Sequence, residues 1–110
     1  SEDGFARFVA SLPATTTVLQ WGSHVAKVGG KVFCLRSEAG GEIAFKVTEL
    51  AYAGLTELPG VEQAPYFAKG QWVQVRPGAL EEELLRGYLT EAHRLIAGKL
   101  TRKARAELGL

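Results

Sequence analysis

The chain of 110 residues has no methionine, one cysteine, two histidines and four prolines. Each shortage excludes something. A lone Cys34 forms no intramolecular disulfide, which fits a reducing, cytoplasmic setting. With no second cysteine, a metal-ligating or catalytic role for it is not expected, and the residue inventory argues against an enzyme. No apolar run approaches the roughly 18 residues of a membrane span, so no membrane association is expected. A charged segment followed by an apolar one does not open the chain, so no signal peptide is expected. Position 1 is Ser, so a processed or truncated start is expected. Neither charge sign is in excess: 13 Lys and Arg stand against 12 Asp and Glu, and bulk electrostatics names no partner. What is present is ordinary for a folded protein, with 46% hydrophobic residues. The length fits a single domain over residues 1–110 with a modest core. There is no internal repeat, linker or low-complexity tract.

The hydrophobic spacing predicts the elements. Phe5, Phe8, Val9 and Leu12 fall on one helical stripe, with Glu2 and Asp3 at its dipole-favoured start and Pro13 as its stop. Thr15 to Leu19 is β-branched enough for a short strand. Trp21-Gly22-Ser23 reads as a turn. Strands His24–Val28 and Lys31–Arg36 flank Gly29-Gly30, where a two-residue primed turn is expected. A looser turn over residues 37–41 leads to a strand over 42–47. Thr48 is placed to cap a short helix that ends near Pro59-Gly60. Residues 61–70 read as a loop and Trp72–Arg76 as a strand. A long helix over 80–97 carries Leu84, Tyr88, Ala92, Leu95 and Ile96, widened by Leu85 and Leu89. Gly98 ends it, and Thr101 caps a last short helix. This order calls for an α+β fold: a two-layer sandwich, an antiparallel sheet with helices packed on one face.

Uninterrupted pairing from the Gly29-Gly30 turn puts Ala26 opposite Phe33 and His24 opposite Leu35. Pairing Arg36 with Glu42 puts Leu35 opposite Ile43 and Phe33 opposite Phe45. Alternation then sends Ala26, Val28, Phe33, Leu35, Ile43 and Phe45 to a core face. It sends Val25, Lys27, Val32, Cys34, Arg36, Glu42, Ala44 and Lys46 to the other. The predicted core is Phe5, Phe8, Phe33, Leu35, Phe45, Val73, Val75, Leu84, Tyr88 and Leu95.

The second face carries the candidate binding residues. These are Lys27, Lys31, Arg36, Lys46, Lys69, Trp72 and Arg76, cations beside an aromatic, a pattern suited to phosphate contact with base stacking. The plain alternative is a solvated face, with Arg36 paired to Glu42. The segment 86–105 is locally basic, with Arg86, Arg94, Lys99, Arg102, Lys103 and Arg105 against Glu91, although cations near helix C-termini are ordinary. Glu81, Glu82 and Glu83 point in different directions around a helix and suit its N-terminus better than a metal. Cys34 and His24 are expected on opposite sheet faces, which disfavours a nucleophile–base pair. His93 has no evident partner.

Several segments together resemble the MmcQ/YjbR family of small bacterial proteins. They are Leu12-Pro13 closing the first helix, Trp21-Gly22, Val28-Gly29-Gly30-Lys31 before Phe33, Lys46 before a helix, Pro65 through Lys69 to Trp72, and the tail 100–108. The resemblance implies a CyaY-like fold and DNA binding through a double-wing surface. The residues themselves give no expectation of a cofactor or a metal. Many relatives carry His and Asn ahead of the Lys and His just before the Trp. Here Tyr66 or Phe67, Ala68 and Gln71 stand there. The expected partner is therefore nucleic acid, DNA in particular. The alternative is a protein-interaction or chaperone-like module, and the oligomeric state stays open.

Overall fold

The computed structural model describes residues 2–110. The side chains of Glu2 and Asp3, expected in the first helical turn, lie outside the described residues, as does Ser1. The elements run α1 (Glu2–Ala10), β1 (Thr15–Gln20), β2 (Ser23–Val28), β3 (Lys31–Ser37), β4 (Ile43–Lys46), α2 (Glu49–Leu55), β5 (Val61–Gln63), β6 (Trp72–Val75), α3 (Glu82–Ala97) and α4 (Arg102–Glu107). The six strands form one antiparallel sheet in the order β1-β2-β3-β4-β6-β5. Helix α3 packs across β2, β3 and β4, while α1 packs on β1 and β2. The architecture is the expected α+β one. Among the described residues no helix is long and apolar enough to cross a membrane.

Local chemistry explains most boundaries. Thr48 Oγ1 accepts from the Ala51 amide at 3.1 Å and Thr101 Oγ1 from the Ala104 amide at 3.0 Å, so α2 and α4 are capped as expected. The Val28↔Lys31 pair closes on Gly29 and Gly30 at φ 59° and 79°, a primed turn whose two positive φ values suit glycine.

The sheet register departs from the uninterrupted pairing. Lys27 pairs with Val32, but Ala26 pairs with Cys34, so Phe33 is the extra residue of a β-bulge. Beyond it β3 is shifted by one: Cys34 opposes Phe45, Leu35 opposes Ala44 and Arg36 opposes Ile43. The reason is that strict alternation buries only one of Phe33 and Cys34 on the core face. The bulge buries both, each at 0% exposure. Cys34 and Arg36 therefore move to the helix side, and Leu35 moves to the open side. Lys27 and Lys46 stay on the open side.

The core beneath the helices includes Phe5, Val9, Phe33, Cys34, Phe45, Val73, Val75 and Leu89. Phe45 stacks on Tyr88 with centroids 5.9 Å apart. Helix α3 is rotated from its expected stripe. Leu89, Ala92, His93 and Ile96 are buried, whereas Leu84 is 48% exposed and Leu95 only half-buried. His93 supplies the reason. Its Nε2–H donates to the Pro13 carbonyl at 2.7 Å, and its ring meets Phe33 edge-on at 5.2 Å. A histidine with both contacts is a core residue that ties α3 to the end of α1.

Candidate functional site

The open face is organised by a strand that the residue pattern does not announce. Val61–Gln63 pairs with β6, Val61 opposite Val75 and Gln63 opposite Val73. Three residues after Pro59-Gly60 are too few for a period to register. Gln63 then holds the following loop. Its Nε2 donates to the carbonyls of Ala64 and Phe67 at 2.8 and 3.1 Å, and its Oε1 accepts from the Gly70 amide at 3.1 Å. The loop folds onto the sheet, so that Phe67 stacks on Trp72 with centroids 4.1 Å apart and planes at 19°.

This changes what the face offers. Trp72 and Lys46 are cross-strand partners on the open side, as expected, but neither is an exposed platform. Trp72 is 7% exposed beneath Phe67, and Lys46 is 6% exposed with its Nζ donating to Gln71 Oε1 at 2.6 Å. Burial holds the Lys46 amine below its ordinary range. The Lys99 charge lowers it further, and Glu49 opposes both. Arg36 sits on the helix side because of the bulge. Together with Arg76 it borders a cleft of about 410 Å³ against Phe5, Phe8, Leu85 and Leu89. Lys31 and Lys69 are exposed and Lys27 is half-buried. The seven candidates therefore do not form one surface.

Two separate ends emerge instead. At the Gly29-Gly30 end, a methyl group on Gly29 would lie 2.6 Å from Leu100 Cδ1, so Leu100 rests on the bare turn. Leu100 and Ala104 pack on the core cluster. Residues 102–105 follow within one helical turn, about 5 Å of rise. The chain segment that carries Lys99, Arg102, Lys103 and Arg105 is thus anchored at the end of the sheet where Lys31 lies beside the turn, with Lys99 close enough to act on Lys46. Neither spacing nor composition links residue 29 to residue 100. The contact is purely tertiary.

At the opposite end lies a cleft of about 600 Å³. Its floor is the open sheet face at Leu35, Ala44 and Gln74, and its sides are Trp21 and the segment Pro65-Tyr66-Phe67. Trp21 is 68% exposed and Tyr66 fully exposed. Both take positive φ, 56° and 69°, a costly conformation for bulky side chains.

Other chemistry is muted. The bulge puts Cys34 and His24 on the same sheet face, correcting the expected separation. Even so, Cys34 is fully buried, with its thiol pushed up by desolvation, and His24 pairs with Glu38 at 3.3 Å. Among the described residues there is no cluster of three or more metal-ligating side chains.

The model of the YjbR family matches residues 10–95. No curated protein matches the chain. Solved structures do. One is the Deinococcus radiodurans protein DR2400, described as carrying the domain DUF419. It superposes with TM-score 0.91 and 23% identity over 100% of this chain and 88% of that one. Another, from Pseudomonas syringae, gives TM-score 0.74 and 18% identity over 87% of this chain and 98% of that one. At these identities the likeness is one of fold.

Proposed function

We propose, from the premise that this chain belongs to the YjbR family, that it is a non-catalytic nucleic-acid-binding protein acting through the basic Gly29-Gly30 end of its sheet. The observation that carries this reading is the seating of Leu100 on Gly29, which anchors the segment carrying the tail cations at the end of the sheet where Lys31 lies. Cations on a strand pair and an adjoining helix suit a phosphate backbone, which demands positive charge and little else. Burial of Trp72 under Phe67 removes base stacking from the reading, so affinity rests on charge and carries little sequence preference. Full burial of Cys34 and the bond of His93 to Pro13 favour a non-catalytic role.

The test is fluorescence anisotropy of the full chain with labelled single- and double-stranded oligonucleotides at several salt concentrations. Binding is expected with Kd roughly 10⁻⁴ to 10⁻⁶ M at physiological salt. The combined Lys99→Ala, Arg102→Ala and Lys103→Ala variant should lower the salt slope by about 2 to 3, near 0.9 per lost phosphate contact. Circular dichroism confirms its fold. No binding by the wild type at low salt, or an unchanged slope in the variant, overturns the reading.

A further inference from the structure

We infer that the cleft at the Trp21 end is a second binding site, and that it takes an arginine-bearing peptide segment of a partner protein. The inference is independent of the nucleic-acid reading, because it uses the opposite end of the face. It starts from charge. The one charged side chain lining this cleft is Glu42, and no ion pair to Glu42 occurs among the described residues. The walls are Trp21, Tyr66 and Phe67, whose ring faces attract cations. No lysine, arginine or histidine lines it. A phosphate would meet a carboxylate there, whereas a cation meets a carboxylate and the aromatic side chains of Trp21 and Tyr66, Phe67 having one ring face against Trp72.

The charge at the cleft sets the chemistry of the match. Glu42 is a carboxylate, which accepts hydrogen bonds and donates none, so the matching group is a donor. Guanidinium carries five N–H donors and no acceptor, its fork fits a carboxylate, and its flat faces lie well on aromatic rings. A volume of about 600 Å³ exceeds one side chain and lies within the range of ligand sites, which leaves room for flanking peptide. The exposure of Trp21 and Tyr66 at positive φ is the kind of retained strain that accompanies a binding site.

The experiment follows the Trp21 indole N–H of the isotopically labelled full chain by NMR. The probes are the capped tripeptide Gly-Arg-Gly, the same peptide with neutral citrulline in place of arginine, and an eight-nucleotide single-stranded oligothymidylate. The arginine peptide should shift Trp21 saturably, with Kd about 1 mM. Citrulline should bind about tenfold more weakly, and Glu42→Gln should weaken the arginine peptide about tenfold while leaving resonances outside the cleft in place. The Lys99, Arg102 and Lys103 variant should bind the peptide like the wild type, so failure of the nucleic-acid reading leaves this one standing. Three results overturn the inference: no saturable shift with arginine, equal affinity for citrulline, or an oligonucleotide that moves Trp21 more than the peptide does.

Discussion

Strand β2 begins and ends in hairpins of the same backbone geometry and different chemistry. At one end Gly29 and Gly30 take φ 59° and 79°, and at the other Trp21 and Gly22 take 56° and 71°. Glycine adopts these angles without a Cβ penalty, whereas a left-handed tryptophan costs about 1–2 kcal/mol. The glycine turn is bare so that Leu100 can lie against it, and the basic tail arrives with Leu100. The tryptophan turn has an exposed ring beside a cleft. One hairpin uses its turn for packing and gathers cations. The other keeps strain and presents an aromatic side chain to a cleft that Glu42 also lines. A shared backbone shape thus says little about the job of a turn. The side chain that occupies it, and what lies against it, decide.

The largest expected effect breaks the frame common to both ends. Phe33 is the bulge residue, fully buried and edge-on to His93. Phe33→Ala should cost about 3–5 kcal/mol of stability in chemical denaturation. A loss below about 1 kcal/mol would mean that the bulge does not hold the register. Next comes the glycine turn. Gly29→Val combines a left-handed φ with a collision against Leu100 and should cost about 1–3 kcal/mol. It should also lower the salt slope of nucleic-acid binding by freeing the tail. A normal slope would separate tail docking from binding.

The third prediction concerns titration. Desolvation first and Lys99 second hold the Lys46 amine below its ordinary range. Lys99→Gln should therefore move it upward, as read from its side-chain resonances against pH. A lysine with a depressed folded pKa disfavours the folded state while both states are protonated. That penalty fades as pH rises from the folded pKa to the unfolded one. Lys99→Gln should flatten this alkaline rise, and an unchanged titration would place Lys99 away from Lys46. The smallest effect is a gain. Trp21→Gly relieves the left-handed strain but adds freedom to the unfolded chain, for a net stabilisation of about 0.5 kcal/mol by thermal unfolding. A loss instead would show that the ring is held by packing rather than poised for a ligand.

Much of the fold was legible in the residues. Thr48 and Thr101 mark helix starts because their hydroxyls satisfy orphan amides. Gly29-Gly30 marks a hairpin because few residue pairs tolerate two positive φ values. The site was less legible. Alternation, being local, places Lys46 and Trp72 on one face, but their burial depends on Phe67 and Gln71 arriving from the loop. Arg36 lies on the face opposite to the one alternation gives it, because a bulge reverses alternation, and the cause of the bulge, the joint burial of Phe33 and Cys34, is not a pattern of period two.

By itself the chain determined what depends on near neighbours: helix caps, turn chemistry, strand alternation up to the bulge, and an α+β order of elements. Those properties rest on torsions and hydrogen bonds that span a few residues. Only the tertiary structure decided which cations share a surface, that β5 exists, that Trp72 is roofed and that Trp21 faces a cleft with Tyr66. Each of these joins residues tens of positions apart. Such contacts are set by packing complementarity across the whole core, and no short window of sequence carries that information.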